Sequence, residues 1–214
     1  MTNTKPRVLI EDWLPVAALG IESRRESAPI PGQFPKLKTL HVWWARRPLV
    51  ASAAVVLGGL LPIWSKDLAD SFPESVHLRD EEAYRRWLLH LVGIWGDPVQ
   101  ARKSLDAANA AGVKLATNGY GYKPAFRNAI PRSDIDLLHS ILIQAWGELP
   151  VVCDPTAGGG SIPWTAARFG IPTIANDLNG VAASILWAGV RIPAERGPSL
   201  VGDLQEWGQV LVNR

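Results

Sequence analysis

The sequence predicts an α/β fold in which a parallel, doubly wound sheet follows a largely helical region. Short apolar runs at residues 151–153 and 172–175 have the length of buried strands, and helix-forming segments follow at 161–169 and 181–190. Strand–helix–strand–helix order with short links is typical of a parallel sheet. A second observation is that residues 62–130 have the pattern of polar-faced helices, clearest over 80–95.

The remaining elements follow in chain order. An apolar segment covers residues 8–19, and prolines and a glycine predict a loop over 22–36. Residues 41–61 predict a long apolar helix with Pro48 in its first turn. After a break over 117–134, Ser133 or Asp134 can cap a helix that ends at Trp146. We therefore predict two regions, residues 1–132 and residues 133–214.

The composition of the chain limits the classes of function that it can have. Of 214 residues, 47% are hydrophobic and 20% are charged, which is enough to build a core. A net charge of +2 is too weak by itself to indicate a polyanionic partner. A single cysteine excludes a disulfide framework and a cysteine-rich zinc site, so no metal is expected. No apolar run approaches the ~20 residues of a membrane span, which predicts a cytoplasmic protein without membrane partners.

Three successive glycines, Gly158 to Gly160, lie between the first predicted strand and its helix. Ligands of parallel sheets bind at this position, where the absence of side chains lets the backbone approach them. Asp177 follows the second strand, 19 residues after Gly158. An acidic residue at about that distance is placed to bind ribose hydroxyls, so the spacing predicts an adenosine-type ligand.

Three ligands compete for this turn. A P-loop requires Lys–Ser/Thr after its last glycine, and Ser161–Ile162 stand there instead. A dinucleotide turn favours a small residue where Pro163 stands, and the Asp154 carboxylate would oppose phosphates at a helix amino terminus. S-adenosylmethionine carries an ammonium group and a ribose, which suit Asp154 and Asp177 respectively. The sequence therefore favours S-adenosylmethionine.

These residues also carry a family resemblance. "DPTAGGGSIP" and "ANDLN" resemble motifs I and II of amino-group DNA methyltransferases. "IEDWLPVAALGIESRRE" and "LHVWWARRPL" are similar to the DUF1156 family of adenine-specific DNA methylases, often encoded near phage-defence genes. The resemblance covers residues 7–62 and 133–214. It implies a partial Rossmann-like, class I S-adenosylmethionine-dependent methyltransferase fold.

The resemblance also implies a set of cofactor contacts. Residues 41–48 correspond to motif X, which packs beside motif I and closes over the methionine end of the cofactor. Thr156 replaces the usual phenylalanine of motif I, so a stacking role is not expected there. The expected cofactor-binding residues are Asp154, Pro155, Thr156, Ala157, Gly158, Gly159, Gly160, Asp177, Leu178 and His41.

Four neighbouring residues of the same segment can be interpreted as structural or as functional: Trp43, Trp44, Arg46 and Arg47. Arg46 and Arg47 could contact DNA phosphate, although a basic pair on a helix is more often a solvated face. Trp43 and Trp44 are expected to be core or interface anchors rather than base-stacking groups. Cys153 is expected to be a small buried residue of the first strand.

One catalytic motif is absent from the sequence. Transfer to an amino group uses an Asn/Asp-Pro-Pro-aromatic loop that holds the flipped-out base, and no Pro-Pro dipeptide occurs here. We therefore expect the cofactor part of a truncated or split enzyme of a restriction–modification or phage-defence system. Its expected partners are DNA, through the complete enzyme, and a carboxyl-terminal part or second subunit that carries the motif. The alternatives are a non-catalytic DNA- or partner-binding subunit and a dinucleotide-binding oxidoreductase fragment.

Overall fold

Helices dominate the amino-terminal two thirds of the chain. The computed structural model describes residues 5–27, 40–44, 46–114 and 119–213. A 3-10 turn at Leu9–Glu11 leads into helix α1 (Val16–Ser27), and another lies at Ala125–Arg127. Helices α2 to α6 are Leu49–Leu60, Lys66–Ser71, Glu81–Leu91, Pro98–Ala110 and Arg132–Trp146.

A β–α–β unit follows. Strand β1 (Val152–Asp154), helix α7 (Ser161–Arg168) and strand β2 (Thr173–Ala175) form it, and the strands pair in parallel with Cys153 opposite Ile174. Further helical segments come next: α8 (Gly180–Leu186), a π-helical segment (Trp187–Arg191), α9 (Ile192–Arg196) and α10 (Ser199–Val212).

Local sequence explains where several helices begin and end. The Ser65 hydroxyl accepts the Leu68 N–H at 3.1 Å and caps α3, and the Asp80 carboxylate accepts the Ala83 N–H at 2.7 Å and caps α4. Gly147 ends α6 with φ +85°, a left-handed conformation that glycine adopts without strain. The helices predicted within residues 62–130 are confirmed as α3, α4 and α5.

Helix α2 lies at the centre of the core. It packs against α1 on one side and α7 on the other, and Leu57 and Leu61 at its end are fully buried. Such a helix can be apolar around most of its circumference because most of its residues are buried, with Val55 as the exposed position. Trp87 of α4 and Phe169 after α7 belong to the same apolar cluster. The β–α–β unit is therefore anchored on the helical body.

The fold class predicted from the sequence is wrong. The chain is about 60% helical, and its described residues form only a two-stranded sheet, so it is mostly helical rather than Rossmann-like. The strand–helix alternation was correctly recognised over residues 151–190. It does not continue, because residues 180–212 form α8, the π-helical segment, α9 and α10 without a third strand.

Some predicted boundaries also need correction. The helix predicted over 41–61 begins only at Leu49, because the backbone of Pro48 is extended with ψ 138°. The proline also disfavours the helical conformation at the residue before it. Helix α6 starts after Pro131 rather than at a Ser133 or Asp134 cap. The predicted loop over 22–36 is helical up to Ser27, and residues 28–36 lie outside the described part of the chain.

In the part of the chain that the structure describes, no helix combines the length and the apolar character that a bilayer span requires.

Candidate functional site

The glycine turn connects the end of β1 to α7. Gly158 and Gly160 have positive φ angles of 51° and 76°, which favour glycine. The Ala157 N–H donates to the Asn176 carbonyl at 3.0 Å, and this bond ties the turn to the end of β2. The carboxyl ends of both strands therefore meet at this turn, as the sequence predicts.

Asp177 fixes the turn through its carboxylate. One carboxylate oxygen accepts the Asn179 N–H at 2.8 Å and the other accepts the Gly158 N–H at 2.8 Å. These two backbone bonds, from Asn179 and then from Gly158, hold the pKa of the Asp177 carboxyl below its usual value. The group is thus an anion at neutral pH and connects the end of β2 directly to the glycine turn.

Trp43 lies against the glycine turn. A Cβ atom at Gly158 would be 2.7 Å from Trp43 Nε1, and one at Gly159 would be 3.0 Å from Trp43 Cβ. Trp43 is buried with Ala182 and Ile185 of α8. The absence of side chains at these glycines therefore serves the packing of Trp43, which is confirmed as a core residue.

Trp44 has a different environment. Its ring stacks on Trp43 with centroids 4.1 Å apart, yet 79% of its surface is exposed. It is therefore not a core residue, and its outer face is available to a partner.

A cavity of about 260 Å³ opens between the turn and the segment that carries Trp43. It brings together an anion, Asp154, and two cations, Arg46 and Arg47. One oxygen of Asp154 accepts the Thr156 N–H at 3.2 Å. The cavity is lined by Trp43, Arg46, Arg47, Asp154, Thr156, Ala157, Gly158, Gly159, Ser161 and Ile162.

Two links fix the arginine segment to the rest of the site. The Ser161 hydroxyl at the start of α7 donates to the Arg47 carbonyl at 2.9 Å. Arg46 Nη1 donates to Glu26 Oε1 at 3.0 Å, and their side chains are only 11% and 1% exposed. Arg46 is thus a largely buried, ion-paired group and not part of a solvated face, whereas Arg47 is exposed.

Glu26 also caps helix α2 from a distance. Its two oxygens accept the Leu49 N–H at 2.9 and 2.7 Å, and one of them accepts the Val50 N–H at 3.2 Å. Glu22, one helical turn earlier, is equally buried and accepts the Tyr122 hydroxyl at 2.8 Å. Sequence reasoning missed both carboxylates; their i, i+4 spacing within "ESRRE" was the signal that could have found them.

A second cavity, of about 610 Å³, lies between β2 and α8. Its wall is mostly apolar and includes Leu186 and Trp187, and Asp177 is at its edge. Asp154 and Asp177 therefore border different cavities, on either side of the glycine turn.

The structure gathers most, but not all, of the predicted site residues. The predicted residues outside the 260 Å³ cavity are Pro155, Gly160, Asp177, Leu178 and His41. His41 is exposed and precedes α2 by several residues, so it does not start a helix. Cys153 is exposed rather than buried, because it lies on the face of the sheet opposite to Val152, which packs on the core. The described residues contain no group of three or more metal-ligating side chains.

Burial raises the pKa of the Glu26 carboxyl above its usual value of 4.5, against the opposing effects of the Leu49 and Val50 N–H groups. Between 4.5 and the raised value, the folded chain binds a proton that the unfolded chain does not bind, so this group adds stability as the pH falls. Glutamine at this position cannot titrate. We expect wild type to gain stability relative to Glu26→Gln as the pH falls from neutral through this window, in urea unfolding at matched pH values. If the wild type does not gain stability relative to Glu26→Gln over this pH range, the raised pKa is contradicted.

Comparisons with known proteins give one match. Residues 13–88 match the family DUF1156, described as a protein of unknown function. The matched stretch contains Glu26, Trp43 and Arg46, so it supplies one wall of the cavity, while the glycine turn lies outside it. No curated protein and no solved structure matches the chain.

Proposed function

We propose that the chain, whose residues 13–88 match the DUF1156 family, is the S-adenosylmethionine-binding part of a DNA methyltransferase that modifies adenine N6. The observation that carries the proposal is the cavity at the glycine turn. It presents the Asp154 carboxylate at the end of β1, where a cationic ligand group is stabilised and a phosphate is opposed.

The residues fit the amino-acid end of S-adenosylmethionine. Asp154 has one oxygen bound to Thr156, and a carboxylate offers about four acceptor positions in all, so an ammonium group can bind it. A volume of about 260 Å³ is below the roughly 300–1,000 Å³ of sites that enclose a drug-sized ligand. The cavity therefore suits one end of the cofactor, with the adenosine outside it.

The adenosine would extend toward the end of β2. Asp177 accepts two backbone N–H groups, which leaves acceptor positions for ribose hydroxyls. Leu178 beside it is fully exposed and offers an apolar surface for the adenine ring. The methyl group would thus lie near the glycine turn, between Asp154 and Asp177.

Methyl transfer requires a second component. A cofactor site holds one reactant, whereas rate enhancement needs the amino nitrogen held in line with the methyl group. That task belongs to the Asn/Asp-Pro-Pro-aromatic loop, which these 214 residues lack. We propose that a further protein segment or subunit supplies the loop and that DNA binds to the combined enzyme. A restriction–modification or phage-defence system in the cytoplasm would use such an enzyme.

A dinucleotide site is the second candidate. Arg46 and Arg47 in the cavity would suit a phosphate group, which is the observation in its favour. Against it, Asp154 is an anion in the same small space. A direct comparison of the two ligand classes decides between these candidates.

Replacing Asp154 by asparagine tests the proposed contact with the ammonium group. Hydrogen bonds to charged groups contribute about 1.5–3 kcal/mol, so S-adenosylhomocysteine should bind the variant about tenfold or more weakly. 5′-Methylthioadenosine lacks the amino-acid end, and its affinity should not change. Isothermal calorimetry with both ligands measures this difference, with Asp203→Asn on exposed α10 as the charge-matched control. Equal losses for both ligands would mean that Asp154 does not bind the amino-acid end.

A further inference from the structure

Helix α10 lies on the surface of the chain with little packing of its own. None of the residues of Ser199–Val212 is buried, and a Cβ atom added at Gly202 or Gly208 would meet nothing within 4 Å. Glycine and β-branched valine are weak helix formers, and both occur more than once in this helix. Since isolated helices of this length are marginal in water, α10 needs a packing partner.

One side of α10 forms an apolar stripe of Leu204, Trp207 and Leu211. Their spacing of three and four residues places the three side chains on the same face of the helix. They are 64%, 67% and 72% exposed, and Val201 and Val212 beside them are exposed as well. Amphipathic helices that bind other proteins use anchors with this spacing. The apolar stripe therefore has the pattern of a face that packs against another helix.

The charges of α10 have one sign. Asp203 and Glu206 are exposed, and no lysine or arginine occurs within Ser199–Val212. Asp203 lies one helical turn before Trp207 and so borders the apolar stripe. A second copy of α10 would bring only further carboxylates to this border, and the anionic surface of a membrane would repel them. Lysine or arginine beside the stripe of a partner helix would instead be attracted.

We propose that α10 docks against an amphipathic helix of another protein, with the apolar stripe as the contact and with lysine or arginine of the partner facing Asp203 and Glu206. This inference goes beyond the proposed function, because neither the 260 Å³ nor the 610 Å³ cavity is lined by α10. The chain as a whole carries a net charge of +2, so a preference for a basic partner must come from the local charges of α10.

Fluorescence anisotropy of labelled model peptides tests the proposal. One peptide is an amphipathic helix of leucine and lysine, and its matched control carries glutamate in place of every lysine. Because attraction in one complex is replaced by repulsion in the other, we expect the lysine peptide to bind about tenfold more tightly. This ratio should fall in about 1 M salt, which screens the charges. No binding of the lysine peptide, or equal binding of the two peptides, would overturn the proposal.

A substitution in the apolar stripe locates the binding face. Trp207→Ala removes the largest anchor and should weaken binding of the lysine peptide by about tenfold or more. Trp95→Ala is the matched control, because Trp95 is a half-exposed tryptophan outside α10, and it should bind like the wild type. Both residues are exposed, so both variants should keep the thermal unfolding of the wild type. Wild-type affinity of Trp207→Ala would show that the peptide binds elsewhere and would overturn the proposal.

A second pair of variants tests the charges. Asp203→Asn combined with Glu206→Gln should bring the affinity ratio of the two peptides close to one. The control, Asp70→Asn combined with Glu74→Gln, removes two exposed carboxylates outside α10 and should keep the wild-type ratio. A wild-type ratio in the α10 variant would mean that these carboxylates do not select the partner, which contradicts the proposal.

Sedimentation velocity and vesicle flotation test the two other occupants of the stripe. We expect a monomeric chain that does not float with vesicles of phosphatidylserine and phosphatidylcholine. A dimer that Trp207→Ala dissociates would show that a second copy covers the stripe. Flotation that Trp207→Ala abolishes would assign the stripe to a membrane surface. Either result would overturn the proposal of a basic partner helix.

Discussion

Replacing Glu26 by alanine should lower the free energy of unfolding by about 3–5 kcal/mol, the range for removing one partner of a buried ion pair. The substitution leaves the Arg46 guanidinium buried without its anion and removes the acceptor of the Leu49 and Val50 N–H groups. Helix α2, which Glu26 caps, is the central helix of the core. The loss should therefore appear in the global unfolding transition in urea.

Glu11→Ala is the matched control. Glu11 forms an ion pair with Arg7 at 3.5 Å, but their side chains are 50% and 66% exposed. Exposed pairs contribute about 0–1 kcal/mol, so this variant should unfold close to wild type. Similar destabilisation of the two variants would show that the Glu26 carboxylate is not the buried anchor described above.

Alanine at Gly158 should destabilise the chain by about 2–5 kcal/mol and abolish binding of the cofactor. Left-handed backbone costs a residue with a Cβ roughly 1–2 kcal/mol, and forcing an extra atom into a packed site typically adds about 1–3 kcal/mol. The added Cβ would be 2.7 Å from Trp43 Nε1, so the indole must move and change the wall of the 260 Å³ cavity. Thermal unfolding and calorimetry of the same sample measure both effects.

Gly147→Ala separates backbone strain from the clash. Gly147 has φ +85°, and no atom lies within 4 Å of the position that its Cβ would take. This variant should lose only about 1–2 kcal/mol and keep its ligand affinity. If Trp43 is the clashing group, adding Trp43→Ala to Gly158→Ala should restore part of the lost stability. If the contact is irrelevant, the added substitution should lower the stability further. Equal stability losses in Gly147→Ala and Gly158→Ala would mean that Trp43 does not pack on the turn.

The sequence predicted the β–α–β unit well because its signals are local. The strand predicted over 151–153 is displaced by one residue from Val152–Asp154, and α7 begins at Ser161 as predicted. Apolar runs, a glycine turn and an acidic residue after β2 can all be recognised within 30 residues of chain. The DUF1156 resemblance is also confirmed, over residues 13–88.

The rest of the fold depends on contacts between distant residues. Glu26 binds Leu49, 23 positions later, so the start of α2 is set by a side chain that a local pattern cannot reveal. Prolines and a glycine predicted a loop over residues 22–36, whereas Glu22 and Glu26 lie in α1 and are buried. The Rossmann-like prediction failed for a related reason: one β–α–β unit has the same local pattern whether or not more strands follow.

Only part of the site could be predicted from the sequence, because the other part also depends on contacts between distant residues. Asp154 and the glycines could be recognised from spacing, but the role of Trp43 depends on its approach to Gly158 across more than 100 residues. Cys153 is predicted to be buried because free cysteines usually behave as small core residues. In this chain the face that carries Cys153 is exposed.

Isothermal calorimetry of the chain with S-adenosylmethionine, S-adenosylhomocysteine and NAD tests the central claim most directly. The Asp154 carboxylate beside the glycine turn should favour the two ligands that carry an ammonium group and oppose the pyrophosphate of NAD. We expect measurable binding of both S-adenosyl ligands and weaker or undetectable binding of NAD. Tighter binding of NAD, or no binding of either S-adenosyl ligand by the folded chain, would contradict the proposal.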